Sequence, residues 1–353
     1  MSQRRFRLYL KLLRPHQWIK SGFVFVGLLF GHAWDDPALL AAVVRAAAAF
    51  ALAASAVYVG NDYLDRDRDR AHPEKCRRPL ASGALGGGDA LLAGGTSLLL
   101  ALALAASVSF TVLALVVAYL LLNVGYSLGL KHVVLLDVFI IAAGFMLRIL
   151  AGTLGVGIMP SYWLLLCGLL VTLFLGFAKR RAELAALEGE GGSHRQVLDD
   201  YDPVLLDKLI GICAAGTLVT YSLYTVSPET VTMHGTYALV YTVPCVIYGL
   251  FRYLFLHMMP SRQLINDRAY GYYIAFLPFF IGLSYAFVAM DDSFHGWDAM
   301  SSRFFLFVTF LLIARYVSLE KAEGARLQAD RENNLLLQSQ LHNLQDYTLL
   351  LKN

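Results

Sequence analysis

The chain has 353 residues, 58% of them hydrophobic and only 16% charged, with a formal net charge of +3. Soluble domains average about 25% charged residues, so the composition excludes an ordinary soluble fold and points to a membrane protein. Four scattered cysteines (Cys76, Cys167, Cys213, Cys245) build neither a disulfide framework nor a zinc site, and no nucleic acid is expected as a partner.

In chain order, residues 1–18 alternate Arg and Lys with Leu, Tyr and Phe and read as an interfacial amphipathic helix, not a removable signal. Crossing a hydrocarbon core of ~30 Å takes ~20 apolar residues in a helix. Ten stretches come close: 19–34, 39–60, 88–108, 110–128, 133–156, 161–178, 207–226, 237–256, 271–290 and 302–318. Turn formers such as Asp35-Asp36-Pro37 and Ser227-Pro228 separate them. The expected fold is therefore an all-α polytopic bundle of about nine to ten transmembrane helices. In the tail, residues 319–353, Leu337, Leu341, Leu344, Thr348 and Leu351 form a short heptad seam. It suits a cytoplasmic helix that self-associates into a homo-oligomer, or one that lies on the protein or the membrane.

With the N-terminus in the cytoplasm, 26 of the 29 Lys and Arg residues fall on one side, leaving Arg45, Arg148 and Arg303. Both termini and the long charged loops are accordingly expected on the cytoplasmic face of a plasma (inner) membrane.

The loop after the second stretch reads NDYLDRDRDRAHPEKCRRPLASG, Asn61 to Gly83. As a helix, it places Asn61, Asp65 and Asp69 four residues apart on one face, with Asp62 a three-residue step from Asp65. Carboxylates that close repel unless a cation sits among them. Mg²⁺ is commonly held by one or two carboxylates plus substrate phosphates, so the pattern suits a metal–diphosphate complex. Lys75, Arg77 and Arg78 offer positive charge to the same phosphates. The plainer reading, a solvated loop of paired Arg and Asp, accounts for Arg66 to Arg70 but not for the four-residue spacing.

The second charged loop begins with Lys179, Arg180, Arg181 and Glu183. Positive charge at a span end is often only a headgroup anchor. That explanation suffices for Arg181, whereas Lys179, Arg180 and Glu183 are read as substrate contacts beside the first loop. Two charges lie inside the fifth stretch, Asp137 and Arg148, eleven residues apart and so on one helix face. A lone cation at Arg148's depth costs ~3 kcal/mol or more, so the face must point into the bundle. Asp137 is assigned a catalytic role; Arg148 is either a substrate contact or a structural residue. Lys20, Tyr126 and Lys131 ring the same mouth, with snorkelling anchors as the alternative for the two lysines.

Asn61-Asp62-xx-Asp65-xxx-Asp69 resembles the first aspartate-rich motif of the UbiA-type intramembrane prenyltransferase superfamily. RPHQWIK at 14–20, the 61–83 stretch, YSLGLKHVVLLDVFIIAAGFMLRILAG at 126–152 and LGFAKRRAEL at 175–184 resemble its decaprenyl-phosphate phosphoribosyltransferase branch. The resemblance implies a transmembrane catalytic domain over 19–300. The stretch at 301–318 is then an additional helix that departs from the superfamily. It implies transfer of 5-phosphoribose from phosphoribosyl pyrophosphate (PRPP) to a polyprenyl phosphate, on a route to arabinosyl donors for cell-wall glycans. Mg²⁺ would be bound by Asn61, Asp62, Asp65 and Asp69. Aromatic prenyltransferases of the superfamily carry a second aspartate-rich motif after span six; here that position begins KRRAE, which suits a donor with a second phosphate. The rivals are prenyl transfer to an aromatic or quinone precursor, and transport of a phosphorylated lipid or metabolite. Transport needs polar residues at mid-depth in several spans, and only one span has them.

Overall fold

The computed structural model describes residues 3–258 apart from 32, 34, 73–74, 188–199 and 236. Helix α1 (Gln3–Leu13) leads into a 3₁₀ segment (Pro15–Phe25) and a short α2 (Val26–Phe30). There follow α3 (Pro37–Leu64), α4 (Arg66–Arg70), α5 (Gly87–Val108), α6 (Phe110–Leu128), α7 (Leu136–Ala151), α8 (Tyr162–Leu187), α9 (Pro203–Val226), α10 (Pro228–His234) and α11 (Val243–Met258). No strand occurs among the described residues. Six helices among them are long and apolar enough to cross a membrane: α3, α5, α6, α8, α9, and α7 with the turn that extends it to Val156. The fold is an all-α membrane bundle. The expected stretches at 271–290 and 302–318, and the tail, lie outside the described residues.

Local chemistry explains the boundaries. Pro37 opens α3, and the Asp36 carboxylate accepts from the Ala38 and Leu39 amides at 2.7 and 3.2 Å, capping two otherwise orphaned donors. Ser109 breaks the long apolar run into α5 and α6 and caps α6 through the Val112 amide. Asp202 caps α9, with Pro203 in its first turn.

Alanines set the packing. Ala46, Ala49, Ala53 and Ala54 of α3 meet Ala101 and Ala105 of α5 in one buried cluster with Phe50 and Tyr119. Small side chains let two backbones approach, which suits helices whose outer surroundings are lipid. Helices α3 and α7 are the most buried spans, while α5 and α6 turn Leu91, Leu99, Leu121 and Val124 outward.

The stretch expected as a helix over 19–34 differs from a plain α-helix. Its 3₁₀ part rises ~2.0 Å per residue and α2 ~1.5 Å, so the two together still reach about 30 Å. A 3₁₀ helix is slimmer than an α-helix, and here the backbones touch. A Cβ on Gly152 would lie 1.6 Å from the Val24 carbonyl oxygen, and one on Gly27 only 2.0 Å from that of Gly152. The stretch expected at 237–256 is also divided, into a 3₁₀ turn (Ala238–Thr242) and α11.

Up-and-down connectivity gathers the C-terminal ends of α3, α6 and α8 and the N-terminal ends of α5, α7 and α9 on one side of the bundle. Every charged stretch singled out above lies at that end or, in the case of Arg148, below it.

Candidate functional site

Helix α3 ends at Leu64, and the chain continues through Asp65 into α4 without losing helical register. The Asp65 amide donates to the Asn61 carbonyl at 2.9 Å and the Asp69 amide to that of Asp65 at 2.8 Å. The four-residue ladder read from the sequence is therefore kept across the joint. Its side chains do not all converge. Asp62, only 4% exposed, receives Arg14 Nη2 on both oxygens at 2.7 and 3.0 Å, and Arg78 Nη1 at 3.0 Å. The same Arg78 nitrogen lies 2.7 Å from Asp69. Asp65 is exposed, and Asn61 accepts a hydrogen bond from Ser127 Oγ at 3.0 Å, tying α3 to the end of α6.

Two carboxylates thus share one cationic nitrogen. The donors are all hard oxygens. No group of three His, Cys, Asp or Glu residues able to hold a metal occurs among the described residues. Such a set fits a cation that takes one or two carboxylates from the protein and the rest of its shell from water and substrate phosphates.

A second cluster joins α7, α8 and the start of α9. Asp137 is fully buried, and Arg180 is 1% exposed. Arg180 Nε donates to Asp137 Oδ2 at 2.6 Å and Nη1 to Glu183 Oε2 at 2.5 Å, while Nη2 is buried without a partner. The Tyr201 hydroxyl donates to Asp137 Oδ1 at 2.7 Å and accepts from the Leu135 amide at 2.8 Å. Burial, and then the bond to Asp137, pushes the Tyr201 hydroxyl above its ordinary value, so it remains a neutral donor. Lys179 pairs with Glu183 at 3.8 Å, and Arg181 with Asp207 at 3.0 Å. Asp137 is thus engaged with Arg180 and Tyr201, not with the Asp62 and Asp69 pair.

Around these clusters Lys75 and Arg77 are exposed, and Lys20, Tyr126 and Lys131 are half-buried. Tyr126 lies within electrostatic reach of Arg180. Arg148 sits deeper, among aromatic rings. Among the described residues, two non-glycine residues have left-handed backbone: Arg14 at φ 54° and Leu135 at φ 66°. Each costs of order 1–3 kcal/mol, and each aims a group into one of the clusters.

Residues 21–283 match the UbiA prenyltransferase family, about three quarters of the chain. The chain belongs to that family. Among its relatives, a decaprenyl-phosphate phosphoribosyltransferase of Corynebacterium glutamicum is 35% identical over 221 residues, covering 61% of this chain and 66% of that protein. This chain thus spans just under two thirds of that relative's length. A protein of the same name from Mycolicibacterium smegmatis is 33% identical over 224 residues, covering 62% of this chain and 70% of the other. The solved structure of a UbiA homolog from Archaeoglobus fulgidus, bound to GPP and Mg²⁺, superposes with a TM-score of 0.57. It covers 80% of this chain and 99% of the homolog at 20% identity, a likeness of fold.

Within this UbiA fold, the tertiary contacts add Tyr201 and Ser127, which the sequence reading passed over, and give Arg14 a defined partner. Tyr201 lies 64 residues from Asp137, so no local spacing could have connected them. Arg14 carried a readable signal: it lies in the RPHQWIK block just before the first membrane stretch.

Proposed function

We propose that the chain transfers 5-phosphoribose from PRPP to a polyprenyl phosphate at the cytoplasmic face of the plasma membrane, with Mg²⁺ as cofactor. The observation that carries this reading is the convergence of Asp62 and Asp69 on one Arg78 nitrogen, beside the exposed cations Lys75 and Arg77. The names of the corynebacterial and mycobacterial relatives support the choice of substrates.

Asp62 and Asp69 would hold the metal, with Asp65 and Asn61 on the same helical ladder; bound there, Mg²⁺ would neutralise the diphosphate and ease its departure. Arg14 and Arg78, which now neutralise the carboxylates, are placed to turn to phosphate oxygens when substrate enters. Arg180 is held by Asp137, with Glu183 and Tyr201 completing the frame, so that Nη2 is the donor left for substrate. Lys131 and Lys179 supply further positive charge, and Tyr126 borders the same cluster. An oxygen of the lipid phosphate forms a bond to the anomeric carbon of the ribose. The bond from that carbon to the diphosphate breaks, and its electron pair leaves with pyrophosphate. The nucleophile is already anionic and needs no general base.

A second reading, transfer of a prenyl group from a prenyl diphosphate to an aromatic acceptor, is favoured by the family description, because an oxygen-lined cation site serves any diphosphate. One experiment separates the two. Purified protein is incubated with Mg²⁺, labelled PRPP and a set of polyprenyl phosphates, and in parallel with labelled prenyl diphosphate and aromatic acids. Label passing from PRPP into the lipid phase, and lost with EDTA, is expected. Label entering product only from the prenyl diphosphate would replace this proposal with the second reading.

A further inference from the structure

Arg148 of α7 is 5% exposed and has no carboxylate partner among the described residues. Its one hydrogen bond runs from Nη1 to the Gly144 carbonyl of its own helix, at 2.7 Å. Nε is buried and unpartnered. Three aromatic rings surround the guanidinium: Tyr119 at 4.5 Å, Phe50 at 5.5 Å and Phe145 at 5.6 Å. The ring faces attract the cation but carry no net charge, so the site stays positive.

The charged neighbours add to the imbalance. Lys20, half-buried at the start of the first membrane stretch, feels the charges of Arg148 and Arg14, both positive. Arg14 is compensated by Asp62. Lys20 has no ion pair among the described residues. The segment that carries Lys20 packs against the helix that carries Arg148, where Phe23 meets Phe145 at 4.8 Å between ring centroids. Two buried or half-buried cations thus lie on adjoining segments with no anion between them among the described residues, an arrangement that costs energy until one arrives. The open edge of Arg148 suits a particular anion. With Nη1 committed to Gly144, the Nε side of the guanidinium remains, the edge that grips phosphate oxygens in pairs.

We propose that Arg148 and Lys20 together seat the phosphate of the lipid acceptor and so select a phosphorylated lipid over a neutral one. Depth argues for the lipid and against the water-soluble donor. Arg148 bonds at the level of Gly144, seven residues along α7 from Asp137 and so about 10 Å below the mouth. A phosphate tethered to an apolar chain can enter there from between the spans, whereas PRPP has its own cations at the mouth. The assignment rests on the phosphoribosyl-transfer reading for the identity of the acceptor, but its binding test does not require turnover.

The test uses the full chain in detergent with decaprenyl phosphate and its neutral alcohol, decaprenol, as probes. Variants are Arg148→Gln, Arg148→Lys and Lys20→Gln. Retention of decaprenyl phosphate, read by native mass spectrometry without PRPP, is expected in the wild type and reduced about tenfold or more in Lys20→Gln and Arg148→Gln. Arg148→Lys, which keeps charge but loses the two-pronged grip, should fall between. In turnover, KM for decaprenyl phosphate rises by a similar factor while KM for PRPP stays near the wild-type value. Because Arg148→Gln removes a buried group and can fail to fold, Lys20→Gln carries the same prediction from the edge of the site. Wild-type retention in folded Lys20→Gln and Arg148→Lys, or equal binding of decaprenol, overturns the proposal. Selective retention of decaprenyl phosphate with no transfer from PRPP would instead overturn the reaction and leave the phosphate seat standing.

Discussion

Asp137 and Arg180 meet at 2.6 Å between α7 and α8, both almost wholly inaccessible. A buried pair of this kind is weak evidence for net stability, since two charges have lost their water, but breaking it is costly. Asp137→Asn should destabilise the protein by about 3–5 kcal/mol, because Arg180 is then left buried beside Glu183 alone. Asp137→Leu combined with Arg180→Met should recover much of that stability while activity stays low. Thermal unfolding in detergent reads the first effect and transfer assays the second; an Asp137→Asn protein as stable as the wild type would rule out the pairing.

On the proposed reaction, Asp62→Asn and Asp65→Asn should each lower transfer by about a hundredfold or more with membrane insertion intact, because each would remove charge from the place assigned to leaving-group stabilisation. Asp67→Asn is the control. Asp67 is 70% exposed and pairs with Arg66 and Arg70, away from the shared Arg78 nitrogen. Full activity in Asp62→Asn would sink the assignment of the carboxylate pair.

Chelation should separate activity from folding. Arg14 and Arg78 already neutralise Asp62 and Asp69, so the bundle does not need a divalent cation to offset carboxylate repulsion. EDTA is expected to abolish transfer, and added Mg²⁺ to restore it, with the melting temperature unchanged. A large fall in melting temperature with EDTA would show that the metal is part of the fold.

Gly152→Ala should be among the most damaging small substitutions in the chain. Its Cβ would stand 1.6 Å from the Val24 carbonyl oxygen, a backbone atom that cannot move alone. A loss of at least about 3 kcal/mol is expected. Gly95→Ala, in α5 with nothing within 4 Å of the new Cβ, should be neutral or slightly stabilising. Comparable melting of the two variants would refute the close backbone contact.

Tyr201 links this architecture to alkaline pH. Its folded-state pKa is raised above the ordinary 10, so its contribution to stability is complete below that value and is lost as pH rises further. Tyr201→Phe removes the bond to Asp137 and should melt lower than the wild type at pH 7. The difference should narrow above about pH 10, where the unfolded tyrosine gains stability by ionising. A gap that stays constant through pH 11 would mean that Tyr201 titrates normally.

What was legible in the sequence was local or compositional. Apolar length marked α3, α5 to α9 and the neighbourhood of the first stretch, because a helix crossing lipid must satisfy its own backbone and show apolar side chains for some twenty residues. The ladder Asn61, Asp65, Asp69 was legible because helical spacing depends on sequence distance alone. Asp137 and Arg148 were legible as inward-facing, since neither is tolerated against lipid. Their partners were not. Nothing near Asp62 in the chain announces Arg14, 48 residues away, and nothing near Asp137 announces Arg180 or Tyr201. The 3₁₀ course of Pro15–Phe25 was likewise set by its neighbour, where Gly152 admits the Val24 backbone. The sequence by itself determined that this is a helical membrane protein with an acidic helix end ringed by basic residues, because hydrophobicity and periodicity act along the chain. Only the tertiary structure decided which acid meets which base and which cation is left without an anion, because charges pair through space at 3 Å and are indifferent to how far apart they lie in sequence.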